Sequence, residues 1–163
     1  MKATQLLKTD HAAVKRLFAE FRRTTSRGPR RREQILDKIA QELEIHSKIE
    51  EEIFYPAVKD VPRGRRLVNE AESEHKQVDT LVAEAQGMDM ASDEIVQKVR
   101  ELRDAVLHHA TEEEDEMFPV AEAGLGDGLK ELGERMAARK RQLATSRFQK
   151  AKRAVKKAVR RVA

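Results

Sequence analysis

EIHSKIEEEIFYP (residues 44–56) and LHHATEEEDEMFP (residues 107–119) are two versions of one phrase. After His46, Glu stands at +4, +5 and +6, an aromatic at +9 and Pro at +10. From His109 the same offsets give Glu113, Glu114, Asp115, Phe118 and Pro119. A second phrase also recurs. His11 is followed by Val14, Leu17, Ala19 and Glu20, and His75 at equal offsets by Val78, Leu81, Ala83 and Glu84. His11 and His75 lie 64 residues apart, His46 and His109 63. Such matched intervals are the mark of a duplicated unit. The chain therefore reads as two copies of a helical hairpin. In each copy the first helix offers a lone His and the second offers His-x3-Glu.

Working outward, apolar residues recur at helical spacing in five stretches. The first, about Thr4 to Thr24, carries Leu6, Leu7, Val14, Leu17, Phe18 and Phe21 on one face, and ends at Ser26-Arg27-Gly28-Pro29. The second, about Arg31 to Tyr55, turns Ile35, Leu36, Ile39, Leu43, Ile49 and Ile53 inward and is expected to stop at Pro56. Val61-Pro62-Arg63-Gly64 leads to the third, about Arg66 to Ala85. Ser92 is expected to cap the fourth, which begins near Ile95 and is expected to stop at Pro119. After Gly124, Gly126 and Gly128 a fifth stretch begins near Leu129, with room for a break before the end. The expected fold is all-α: an antiparallel up-down four-helix bundle over residues 1–123, with a basic helical extension over 124–163.

Residues four apart on a helix lie about 40° apart. His46 with Glu50, and His109 with Glu113, thus each present an imidazole and a carboxylate together, among apolar neighbours. A buried carboxylate is costly unless paired or coordinated. A single histidine on an apolar face is ordinarily a core or surface histidine. Four helices repeating the pattern in phase instead point to a shared metal site in a bundle core. The candidate ligands are His11, His46, Glu50, His75, His109 and Glu113. His108 has no counterpart in the repeat, since Ile45 holds that place, and is read as a non-ligand. Four imidazoles and two carboxylates suit first-row transition metals better than Mg or Ca. A single zinc needs only four ligands, so six in pseudo-twofold arrangement imply two metals bridged by the glutamates. The nitrogen count favours iron over manganese.

Composition narrows the chemistry further. The 163 residues contain no Cys, which excludes disulfides, thiolate metal sites and a cysteine nucleophile. No apolar run approaches a membrane span and the N-terminus has no apolar signal core, so a cytoplasmic protein is expected. The net charge of +4 conceals a split: of 33 Lys and Arg, twelve lie after residue 134, where no acid occurs. That leaves 21 basic against 29 acidic side chains in the body, an acidic core with a basic tail.

At DHAAVKRLF, EIHSKIEEEIFYP, ESEHKQVDTL and LHHATEEEDEMFP the chain resembles the hemerythrin-like, HHE cation-binding family, over about residues 5–120. The resemblance implies iron ligands at His11, His46, Glu50, His75, His109 and Glu113, with Glu50 and Glu113 bridging two Fe ions in an oxo- or hydroxo-bridged centre. Oxygen-carrying hemerythrins have a further histidine on the third helix. Here the nearby positions hold Glu72 and Asp79, which speaks against reversible oxygen carriage. IFYP, with ELGERMAARKRQL after the bundle, is similar to an actinobacterial branch associated with catalase-like activity. The implied function is decomposition of hydrogen peroxide. The alternative is a protein that binds or senses iron, oxygen or nitric oxide without turnover.

Tyr55 is the only tyrosine, and its repeat partner is Phe118. A tyrosinate is the axial ligand of haem catalase, which makes Tyr55 a candidate ligand or proton donor. Nine residues after His46, however, an ideal helix turns it about 180° away, as fits an aromatic closing the bundle end. In RFQKAKRAVKKAVRRVA (147–163), Phe148, Ala151, Val155, Val159 and Val162 form one stripe with Lys and Arg elsewhere. That helix has three candidate partners: its own bundle or a second subunit, an anionic membrane surface, or nucleic-acid phosphates bound without sequence specificity.

Overall fold

The computed structural model describes residues 1–162. Among them there is no strand. Helix α1 spans Ala3–Arg22 and α2 spans Pro29–Ile49. A π-helical turn, Glu50–Phe54, joins α2 to α3, Tyr55–Lys59. Helix α4 is Gly64–Gln86 and α5 is Glu94–Glu112. A second π-helical turn, Glu113–Met117, leads into α6, Phe118–Leu125, and α7 runs unbroken over Gly128–Val162.

Neither proline stops its helix. Pro56 and Pro119 each follow a π-helical turn, as an early residue of α3 and α6. Proline is hostile to a helix interior because it lacks a donor and its ring meets the carbonyl four residues back. A turn closed by i→i+5 bonds is wider by one residue and relieves that clash. Ser92 accepts the Ile95 N–H at 3.3 Å, although Asp93 is the residue that precedes the helix.

Helix α1 packs on α2, and α4 on α5. Two apolar clusters fill the interior. The first gathers Leu7, Ile49, Phe54, Tyr55, Val68 and Phe118, the second Val14, Phe18, Ile35, Ile39, Leu81 and Leu102. Along α1 and α4 the first cluster comes before the second; along α2, and along α5 with the turn and α6 that follow it, the order reverses. On all four helices a histidine stands where one cluster gives way to the other. The first half of α7 covers α1 and α2, contributing Leu129, Leu132 and Met136 to the first cluster. Gly133 permits this approach: a Cβ there would stand 2.1 Å from the Met1 carbonyl oxygen.

Candidate metal centre

The layer between the two clusters is polar and buried. His11, His46, Glu50, His75, His109 and Glu113 all converge there, each no more than 6% exposed. Their ligand-type atoms fall into two groups: His11, His46, Glu50 and Glu113 in one, and His75, His109, Glu50 and Glu113 in the other. Within each group the atoms lie within 4.8 Å of one another. The glutamates belong to both groups, one oxygen toward each. In the first, His11 Nε2 is 3.2 Å from Glu113 Oε2, and His46 Nε2 is 2.9 Å from Glu50 Oε1. In the second, His75 Nε2 is 3.0 Å from Glu50 Oε2, and His109 Nε2 is 3.2 Å from Glu113 Oε1.

All four imidazoles are aimed by carboxylates. The Nδ1 atoms of His11, His46, His75 and His109 face Glu114 (2.9 Å), Asp10 (3.2 Å), Glu51 (2.8 Å) and Glu74 (2.9 Å). A carboxylate on Nδ1–H holds the tautomer whose Nε2 lone pair points to the centre, the usual support for a metal-bound histidine. The reading of the sequence missed these four residues as a set. The signal was present in the repeat: an acid precedes each lone histidine (Asp10, Glu74), and an acid stands at +5 from each paired one (Glu51, Glu114). Asp10 is in turn bonded by Lys140 from α7.

Tyr55 also reaches the centre. Its Oη donates to Glu113 Oε1 at 2.5 Å and lies 3.2 Å from Glu50 Oε2 and 3.1 Å from His75 Nε2. The ideal-helix argument that turned it away fails because the π-helical turn adds one residue to the period, setting Tyr55 beside Glu50, five residues back. At the equivalent place in the other copy, Phe118 stacks on His11, with centroids 6.0 Å apart. The two halves therefore differ: a phenol borders the His75–His109 group, a hydrocarbon ring the His11–His46 group.

Outside the centre, His108 is exposed, 3.4 Å from Glu74 and 3.2 Å from Glu112. Glu72 pairs with Lys59 at 2.9 Å. Asp79 lines a cavity of about 30 Å³ beside the four histidines, bordered by Val14, Leu43 and Val106. That is room for one or two water-sized molecules.

The electrostatics call for cations. Burial alone would raise both bridging-type glutamates, and their mutual repulsion raises Glu50 further. The neighbouring imidazoles outweigh this and leave Glu50 below, and Glu113 well below, the usual carboxylate range. Burial disfavours the charged form of His46, yet the Glu50 carboxylate and the Asp10 hydrogen bond raise it to about 10. His109 is likewise raised well above its ordinary value, against burial, chiefly by Glu113. Burial, then Glu50 and Glu113, push the Tyr55 phenol far up. In the metal-free protein, protons on imidazole supply the positive charge the carboxylates need.

Four buried inward atoms, His11 Nε2, His46 Nε2, Glu50 Oε1 and Glu113 Oε2, make no well-directed hydrogen bond, although they face one another in pairs at 3.2 and 2.9 Å. They are the inward atoms of one group. Donor and acceptor atoms that converge without directed hydrogen bonds, four in one buried place, fit a cation-binding site. The nitrogen and oxygen donor set suits a first-row transition metal such as iron.

A family model described as Hemerythrin HHE cation binding domain matches residues 2–121. Uncharacterized protein Rv2633c of Mycobacterium tuberculosis is 29% identical over 151 residues, 90% of this chain and 89% of that protein. A DNA nickase of Nostoc is 27% identical over 118 residues, 72% of this chain, and the match spans 33% of that protein's length. Among solved structures, the Rv2633c homolog from Mycobacterium kansasii, a Hemerythrin HHE cation binding domain-containing protein, is 28% identical. It superposes with a TM-score of 0.82 over 93% of each chain.

Proposed function

The chain belongs to the hemerythrin HHE cation binding domain family, and from that premise we propose that it is a non-haem di-iron protein that decomposes hydrogen peroxide. The observation that carries the reading is the pair of donor groups sharing Glu50 and Glu113, with a phenol that donates to Glu113 and lies 3.2 Å from Glu50 on one side. In this reading His11 and His46 hold one iron, His75 and His109 the other, and the two glutamates bridge them. The metal-holding body is residues 1–123, and 124–163 is its extension. The alternating order of the apolar clusters along α1, α2, α4 and α5 supports an up-down four-helix bundle for that body.

Bound iron would supply the redox step, taking two electrons from one peroxide as dioxygen and two protons leave, and passing them to a second that departs with two protons as two waters. The chain's own residues handle protons and access. In the metal-free fold burial and two carboxylates oppose loss of the Tyr55 proton. Its Oη, hydrogen-bonded to Glu113 at the edge of the centre, would be placed to give a proton to a departing oxygen. Glu50 and Glu113 remain carboxylates. Val14, Leu43, Val78 and Val106 keep the adjacent cavity small enough to admit peroxide or a diatomic gas and reject larger reductants.

Oxygen release from hydrogen peroxide by the iron-loaded protein is the test. Two irons per chain with release, and loss of both in His46→Ala, are expected. Two irons without release would leave a protein that binds iron, oxygen or nitric oxide without turnover. No stoichiometric metal would overturn the site itself.

A further inference from the structure

Helix α7 changes character near Arg147. Before it, Arg139 bonds Glu52 at 2.6 and 3.0 Å, Lys140 bonds Asp10 and Arg147 bonds Glu44. After it, every residue from Phe148 to Val162 is exposed while remaining helical. The apolar stripe therefore does not dock on its own bundle: Phe148, Val155, Val159 and Val162 are 68%, 65%, 63% and 90% exposed. With Ala151 they occupy an arc of about 80° at roughly 100° per residue. The rest of the circumference carries Arg147, Lys150, Lys152, Arg153, Lys156, Lys157, Arg160 and Arg161, with no acid among them.

We propose that residues 147–162 are a docking helix for an anionic lipid surface, stripe toward the acyl boundary and cations on headgroup phosphates. This partner satisfies both faces at once. A second copy does not. Apart from the stripe, Met1 is the only exposed large hydrophobic among the described residues, so another body offers no exposed apolar patch of matching length. Pairing two stripes would press two helices of unrelieved positive charge together. Nucleic acid would meet the cations and leave the stripe in water. The charge pattern adds a reason of its own. Lys152–Lys156, Arg153–Lys157, Lys156–Arg160 and Lys157–Arg161 are like-charged neighbours one turn apart, which disfavour the helix in water. Phosphates alongside would turn that repulsion into attraction.

Co-sedimentation of the iron-loaded full chain with vesicles decides the matter. Vesicles of phosphatidylcholine with phosphatidylglycerol should bind the chain, and phosphatidylcholine alone should not. Replacing the stripe with Phe148→Ser, Val155→Ser and Val159→Ser keeps every charge. It should weaken anionic-vesicle binding by about tenfold or more, since roughly 1.4 kcal/mol of apolar transfer is one decade. These side chains lie outside the bundle, so unchanged iron content would show that the body still folds. Three results would overturn the proposal: equal vesicle binding by the triple variant, tighter binding to duplex DNA than to anionic vesicles at equal phosphate, or stripe-dependent self-association without lipid.

Discussion

Tyr55 is enclosed by two carboxylates and an imidazole, and its hydroxyl donates to Glu113. Tyr55→Phe retains the ring and its packing and removes that proton. We expect iron content to be unchanged and peroxide turnover to fall by roughly 10²–10⁴-fold, the usual scale for a lost general acid. The carboxylates behind the histidines act on binding instead. Glu114→Ala leaves His11 free to rotate, and metal affinity should drop roughly 10–100-fold in a chelator competition. Protonation sets a further condition. His46 is raised in the metal-free fold to about 10. Its contribution to metal-free stability is fully present below about 6.5, the unfolded imidazole value, and is lost as pH rises through about 10. Metal must expel that proton, so loading weakens as pH falls. Thermal melts of metal-free protein should therefore decline between neutral and alkaline pH, and iron titrations should release protons.

At the scale of elements, the two π-helical turns account for most of what was hard to read. The six inward residues were legible because His46 with Glu50, and His109 with Glu113, keep ordinary α-helical spacing, each glutamate being the first residue of its π-helical turn. Beyond that point the α period fails. Tyr55 is a candidate ligand or proton donor that the α period alone turns away, and Pro56 and Pro119 read as stops, because a π turn leaves no simple mark in hydrophobic periodicity. The supporting acids were hidden differently. Glu51, Glu74 and Glu114 look like solvated helix acids, and only the duplicated positions distinguish them. The clasp of the first half of α7 on the N-terminus rests on long-range packing that no local pattern encodes. Gly133→Ala, which forces a Cβ into the Met1 carbonyl, should cost about 1–3 kcal/mol in chemical denaturation. Gly128→Ala, where nothing lies within 4 Å, should be neutral or slightly stabilising.

Across the whole molecule, a charged layer is held between two apolar clusters by four helices of one chain. Metal-binding free energy released there is folding free energy. Removing the metal should lower the melting temperature by on the order of 10 °C, if the ion is present at about 1,000 times its dissociation constant. No helix among the described residues is long and apolar enough to cross a membrane. The central claim is that two metals sit in the layer. Diffraction from iron-loaded crystals at the iron absorption edge tests it most directly. The account predicts two anomalous peaks roughly 3.5–4 Å apart, one beside His11 and His46, the other beside His75 and His109. A single peak, or density at the surface group of Glu74, His108 and Glu112 instead, would contradict it.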